Sequence, residues 1–201
     1  MNRRVALVAV AIVAVAAGLA GGLLVAGSVL RPGAPAEGSA DVGFARSMQV
    51  HHAQAVEMAV LVRDRTDDAE LRQVALDIEL TQQQQQGQMF GWLAVWGLPQ
   101  AGSSPAMAWM AEHGHDDVGP MPGMATPEEL AELRDAQGTT AELLFLDLMV
   151  AHHEGGVQMA EAALERATRP EVRRLAQAVV DSQTAEIAVL AELRARLDGD
   201  A

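Results

Sequence analysis

Two stretches of this chain repeat one pattern, and this repeat constrains the fold more than any other feature. Residues 44–89 match residues 145–190 without a gap, at an offset of 101 positions. Each copy begins with the pattern Phe-x3-Met-x2-His-His-x3-Val-x-Met-Ala. Four of the six histidines of the chain lie in the two pairs, His51-His52 and His152-His153. The repeat therefore predicts two similar structural units that carry one kind of site twice.

The spacing of apolar residues predicts helices in both copies. Apolar and histidine positions recur every three to four residues from Phe44 to Val62, as on one buried helix face. A break near Thr66 separates a first helix from a second, and Gly97 is a plausible C-cap at the end of the second helix. The short connection predicts that these two helices form an antiparallel hairpin. In the second copy, Pro170 suits the first turn of a last helix. Two tandem hairpins predict an all-α, four-helix bundle.

The same signals divide the chain into segments. Residues 1–30 are a membrane anchor or signal, residues 31–39 are a linker, and residues 40–198 form the bundle. Within the bundle, repeat 1 (40–97) is joined to repeat 2 (139–198) by a long Met/His-rich linker (98–138). Within the long linker, Thr126-Pro127-Glu128-Glu129 forms a capping-box pattern with proline at the first helical position, which predicts a short helix to about residue 137, ended by Gly138.

The N-terminus predicts a membrane segment. Residues 5–30 are 26 uncharged and mostly apolar residues, which is long enough to span a bilayer as a helix. The small residues within this stretch leave cleavage as a signal peptide open as the alternative. Because Arg3 and Arg4 precede the segment, everything after Arg31 is expected on the extracytoplasmic side. The prediction is a single-pass protein of the cell membrane, or a secreted protein after cleavage.

Composition limits the partners and the ligands. Removing Arg3 and Arg4 from the 14 basic residues leaves 12 against 27 acidic residues, which argues against nucleic acid and anionic lipid surfaces as partners. The chain has no cysteine, so a site for a soft metal ion must use methionine and histidine. Thioether and imidazole are ligands that suit copper, especially Cu(I).

The repeat places such ligands on one helix face. Side chains three and four positions apart are neighbours on a helix, so the predicted metal ligands in the two copies are Met48, His51, His52, Met58, Met149, His152, His153 and Met159. Polar residues of the partner helices face the pairs, and Glu186 is predicted to orient a histidine or to bind the metal directly. Gln85 stands at the equivalent position of the first copy. A structural hydrogen-bond network that joins the two hairpins is the competing interpretation.

The long linker carries a second set of soft ligands, expected to act as a separate site. These are Met107, Met110, His113, His115, Met121 and Met124. The alternative is a loop that packs over the end of the bundle and leaves both histidines solvated.

These residues resemble a known family. The repeated Met-x2-His-His-x5-Met-Ala pattern, the Met-Pro-Gly-Met run before the second copy and Gln-x2-Glu on the following helix are similar to the domain of unknown function 305, a ferritin-like family of exported bacterial proteins. The resemblance covers roughly residues 40–197 and implies a ferritin-like four-helix bundle. Some members are linked to copper binding and copper tolerance, which implies Met48, His51, His52, Met149, His152 and His153 as ligands. Gln85 and Leu190 depart from the acid and the methionine usual there.

Catalysis is not expected. A di-iron centre of the ferritin type needs Glu-x2-His on two of its helices, and the predicted core contains no such spacing. The chain also has no Gly-x-Ser-x-Gly and no cysteine nucleophile. The predicted function is an anchored extracytoplasmic protein for copper binding, storage or tolerance. The alternative is a non-catalytic accessory or structural subunit of a membrane protein complex.

The predicted topology can be tested with protease. Added to cells stripped of their outer wall, protease should remove the bundle, because the anchor holds it outside the cytoplasm. Immunodetection of the repeats checks this result, with a cytoplasmic protein as the control for cell integrity. Protection of residues 40–197 would contradict the predicted orientation.

Overall fold

In a computed structural model the protein is described over residues 33–111 and 120–199. This part of the chain is all-α, with five α-helices, one short 3-10 helix and no strand. The α-helices are α1 (Ala40–Arg63), α2 (Ala69–Trp96), α3 (Pro127–Asp135), α4 (Gly138–Arg166) and α5 (Pro170–Gly199), and the 3-10 helix is Ala108–Met110. The predicted all-α class is therefore confirmed. The ferritin-like label stays a prediction.

The ends of the helices follow the capping signals in the sequence. The Asp68 side chain accepts hydrogen bonds from the backbone N–H groups of Glu70 and Leu71, which satisfies the first turn of α2. Gly97 ends α2 in the left-handed conformation, with φ of 72°. The predicted capping box at Thr126 is present at the start of α3. One boundary was wrong: α3 already ends at Asp135, and Gly138 begins α4 instead of closing α3.

Four long helices form two hairpins, α1–α2 and α4–α5, which share two apolar clusters. The first cluster contains Phe44, Met48, Met89, Met159 and Val179 among others. The second contains the repeat-related set Phe145, Met149, Leu190, Met58 and Ile78 among others. All four long helices contribute to both clusters, so the hairpins are halves of one bundle whose two ends are equivalent by the repeat.

Each hairpin turn is held by a carboxylate from the other hairpin. Asp41, in the first turn of α1, accepts hydrogen bonds from the backbone N–H and the hydroxyl of Thr168 and from the backbone N–H of Arg169, in the α4–α5 turn. Glu142, which lies 101 positions after Asp41, accepts a hydrogen bond of 2.5 Å from the Thr66 hydroxyl in the α1–α2 turn. These buried contacts fix how the two halves dock.

The linker just before α3 lies tightly against α4. A Cβ atom on Gly155 would lie 2.3 Å from the carbonyl oxygen of Pro122. Gly123 has φ of 70°, and a Cβ there would lie 2.3 Å from the carbonyl oxygen of Ala151. Two hydrogen bonds between the Gln54 amide and the backbone of Ala125 fix the segment further. The described part of the linker is thus anchored to the bundle, as the loop-packing alternative proposed.

The predicted membrane segment lies outside the described residues. Over residues 33–111 and 120–199, no helix is long and apolar enough to cross a membrane.

The close approach at Gly155 predicts a loss of stability on substitution. Gly155→Ala should lower the free energy of unfolding by about 1–3 kcal/mol, because the added methyl group meets backbone that must shift. Gly87→Ala is the matched control, since Gly87 is an exposed helical glycine with open space around it. It should raise stability by up to about 1 kcal/mol through helix propensity. Urea denaturation measures both, and equal effects would contradict the described packing.

Candidate metal centre

A layer of polar side chains separates the two apolar clusters in the middle of the bundle. His51 and His52 come from α1, and His152 and His153 come from α4; all four have 0% exposure. The expected burial of both pairs on the inner helix faces is therefore found. We call this set the histidine layer.

The rings of the layer form a short row. The central rings, His51 and His152, lie against each other with centroids 3.7 Å apart and an interplanar angle of 34°. Each outer ring lies 6.4 Å from its sequence neighbour, measured between the centroids of His51 and His52 and of His152 and His153. The repeat thus brings the four imidazoles together across α1 and α4.

Each ring has one nitrogen fixed by a hydrogen bond. Nε2 of His51 donates to the carbonyl oxygen of Pro122 at 3.1 Å, and Nε2 of His152 donates to the carbonyl oxygen of His51 at 2.9 Å. The outer rings bond to side chains of the partner helices, His52 to Oε1 of Gln85 and His153 to Oε2 of Glu186, both at 2.6 Å. Carbonyl and carboxylate oxygens only accept, so the hydrogen lies on Nε2. The role predicted for Glu186 in orienting a histidine is present in the structure.

The second nitrogen of every ring is unpartnered. In the described part of the chain, all four Nδ1 atoms are buried without a hydrogen-bond partner. The amide groups of Gln82 and Gln183, at equivalent repeat positions, are also buried and unpartnered. Buried polar atoms of native proteins are normally paired with protein, water or metal, and each unpaired one costs roughly 1–3 kcal/mol. These nitrogens and amides therefore have no protein partner in the described part of the chain.

Burial keeps three imidazoles of the layer neutral, those of His51, His52 and His152. Desolvation lowers the pKa of His51 to about 4, although the hydrogen bond to Pro122 opposes the shift. Desolvation and the neighbouring His51 lower the pKa of His52 to about 3. The pKa of His152 also lies well below 6.5, mainly through desolvation and then through His51. A neutral imidazole with its hydrogen on Nε2 presents a lone pair on Nδ1, the form that binds metal ions.

The predicted methionine ligands all lie in apolar surroundings. Met48 and Met159 belong to the first cluster, whereas Met58 and Met149 belong to the second. The sequence repeat pairs Met48 with Met149, but the structure places them at opposite ends of the bundle. The reason is that the two hairpins dock in opposite orientations, so that equivalent positions of the two repeats lie at opposite ends of the bundle.

Three of the linker methionines pack onto the bundle. Met107 lies in the first cluster, and Met110 and Met121 pack against it. Met124 is half-buried. His113 and His115 lie outside the described residues. The separate metal site expected in the linker stays a prediction.

The contacts of two neighbours of the histidine layer were not predicted from the sequence. Pro122 contributes a backbone oxygen, which no side-chain pattern reveals. Gly156 replaces the Ala55 of the first repeat, and a Cβ there would lie 2.2 Å from Oε1 of Gln183 and 3.2 Å from Cε1 of His51. The difference between glycine and alanine at one repeat position was the available signal for this close packing.

The grouping of His, Asp and Glu side chains is defined for the described residues alone. Over residues 33–111 and 120–199, no three His, Asp or Glu side chains are placed to share one metal ion. Structural zinc sites need four such ligands, and catalytic zinc sites need three.

Fold and layer together define a two-repeat helical bundle with buried paired histidines. The chain belongs to the family described as domain of unknown function (DUF305), whose profile matches residues 41–194. The resemblance seen in the sequence is thereby confirmed. A comparison with curated proteins finds no match.

Solved structures of similar proteins share the fold. A DUF305 protein from Streptomyces coelicolor, described as a candidate secreted protein, is 49% identical with a TM-score of 0.76, over 81% of this chain and 96% of that one. A DUF305 fragment from Deinococcus radiodurans is 37% identical with a TM-score of 0.67, over 82% and 99%. CopM matches in its Cu(I)-bound and Cu(II)-bound forms at 24% and 26% identity, with TM-scores of 0.62 and 0.60, over 78% and 96%.

The lowered histidine pKa values predict acid sensitivity of the metal-free protein. Between pH 6.5 and about 4 the unfolded chain binds protons at His51 and His52 that the folded chain does not. The free energy of unfolding should therefore decrease as the pH decreases through this window, by up to about 1.4 kcal/mol per pH unit for each such proton. Above pH 6.5 it should not depend on these groups.

Denaturant titrations at several pH values check this slope. Burial lowers the pKa of His52 to about 3, so this residue contributes to the slope. The substitution His52→Gln should therefore make the decrease of stability between pH 6 and 4.5 shallower. A slope unchanged by this substitution would contradict the neutral, buried state of the ring.

Proposed function

We propose that this protein binds copper on the extracytoplasmic side of the membrane, for storage or tolerance, through its histidine layer and methionines. The observation that carries the proposal is the set of four buried Nδ1 atoms without partners, on rings whose Nε2 atoms are fixed by oxygen acceptors. Histidines that bind metal ions characteristically donate their other N–H to a carbonyl or carboxylate in this way. The proposed ligands are those named from the sequence.

The available donors favour Cu(I) among the candidate ions. The chain has no cysteine, and the candidate ligands in the histidine layer and the two apolar clusters are imidazole nitrogen and thioether sulfur. Thioethers suit Cu(I), whereas carboxylate and water suit the hard cations. Structural zinc sites use four Cys, His or carboxylate ligands and catalytic zinc sites three, and no such group of three is found in the described ranges. CopM was solved with Cu(I) and with Cu(II), which supports a role of the shared fold in copper binding.

The proposed location is extracytoplasmic. The sequence of residues 1–30 provides either a membrane anchor or a cleaved signal, and both export the bundle. The similarity to a candidate secreted protein supports export. No catalytic role is proposed, and the accessory role in a membrane protein complex remains the outcome to expect if no metal binds.

Loss of sulfur should weaken copper binding and leave the fold intact. Met48→Leu with Met149→Leu removes one buried sulfur from each apolar cluster at nearly constant volume. We expect weaker Cu(I) binding in competition with a chromogenic chelator, and a stability change below about 1.5 kcal/mol. Ile78→Val is the control, because it disturbs the second cluster without removing sulfur.

A histidine variant tests the layer itself. The variant His51→Gln, His52→Gln, His152→Gln, His153→Gln should bind less Cu(I) than the unmodified protein, with circular dichroism to verify its helices. If the unmodified protein binds Cu(I) no better than this variant, the layer is structural and the proposed function is wrong.

A further inference from the structure

The two outer histidines of the layer have chemically different partners. His153 donates to the carboxylate of Glu186, and His52 donates over the same distance, 2.6 Å, to the amide of Gln85. Glu186 and Gln85 are equivalent by the repeat offset of 101. We call His153 with Glu186 the carboxylate half-site, and His52 with Gln85 the amide half-site. The two share their geometry and differ by one negative charge.

We propose that Glu186 makes the carboxylate half-site the one that takes the first Cu(I) ion, an inference that rests on the proposed function. A monovalent cation on Nδ1 of His153 is compensated across the ring by the carboxylate, which also makes the imidazole a stronger donor. At the amide half-site the same ion would remain an uncompensated charge in a buried layer, which is costly. Among the hydrogen bonds that the four rings make within residues 33–111 and 120–199, Glu186 supplies the sole carboxylate.

Access to solvent favours the same half-site. The Glu186 side chain is 25% exposed, whereas the His153 side chain behind it is fully buried. Gln85 is buried, with 6% exposure. Glu186 thus connects the fully buried ring of His153 to a partly exposed carboxylate. The strongly acidic chain, with a formal net charge of −13, attracts cations in general. Glu186 places one of these negative charges next to the imidazole of His153.

A purely structural role of Glu186 makes different predictions. If the carboxylate only held the ring of His153 in place, the amide of glutamine would serve equally, as it does for His52 in the first repeat. Replacing Glu186 by Gln would then leave the order in which the half-sites fill unchanged. The order of filling is therefore the measurement that separates the two roles.

The experiment exchanges the two partners between the repeats. Glu186→Gln, Gln85→Glu and the double exchange each install a residue that the other repeat already accommodates, and the double exchange keeps the net charge. The full-length protein is titrated with Cu(I) under reducing conditions below one equivalent, and the imidazole signals of His52 and His153 are followed by NMR. A chelator competition gives the affinity for the first ion. Glu192→Gln is the control, because it removes the same charge from an exposed position of α5.

In the unmodified protein the signals of His153 should shift first. Glu186→Gln should weaken binding of the first ion by about 10–100-fold, the usual effect of losing a partner of a metal-bound histidine. The double exchange should make His52 the first to shift, and Glu192→Gln should change neither the affinity nor the order. If Gln85→Glu disturbs folding, Glu186→Gln alone still decides, since it reproduces the histidine–amide pair of the first repeat.

Two failures are distinguishable. No Cu(I) bound to the unmodified protein would overturn the proposed function and this inference with it. Cu(I) that binds both half-sites together, or in an order that Glu186→Gln leaves unchanged, would overturn only the role given to Glu186.

Discussion

The contact between the imidazoles of His51 and His152 is the interaction on which the rest of the structure depends. Their centroids are 3.7 Å apart, and His152 also donates to the carbonyl oxygen of His51, so ring and backbone join α1 to α4. The two apolar clusters lie on either side of this junction, and they are related by the repeat. The carboxylates of Asp41 and Glu142 then fix the hairpin turns at the two ends. The histidine layer therefore lies at the centre of the bundle, with one apolar cluster and one hairpin turn toward each end.

That centre is costly for the fold, and the magnitude of the cost bears on function. A buried polar atom left without a partner costs roughly 1–3 kcal/mol, which is a large fraction of the stability of a typical domain, about 5–15 kcal/mol. Apolar side chains of similar volume would fill the layer without this cost. Under the proposed function, these nitrogens are held for the metal ion that they bind.

Much of this arrangement could be predicted from the repeat, and the remainder depends on contacts between distant residues. Periodicity and capping patterns predicted the long helices, and the shared offset predicted the buried pairs and their partners Gln85 and Glu186. The contact of Pro122 with His51 could not be predicted, because it joins a backbone oxygen to a ring 71 positions away. The placement of Met48 and Met149 at opposite ends follows from docking with exchanged ends, which a linear alignment of the repeats does not contain.

The linker is the source of the largest departure from the internal symmetry. The repeats alone place Met48, Met89 and Met159 in the first cluster and Met58 and Met149 in the second. The linker adds Met107, Met110 and Met121 to the first cluster, so that end of the bundle becomes the richer in sulfur. The same linker orients a central imidazole through Pro122. Methionine-rich linker and histidine layer are therefore parts of one connected assembly, in which the repeats provide the frame and the linker makes its two ends different.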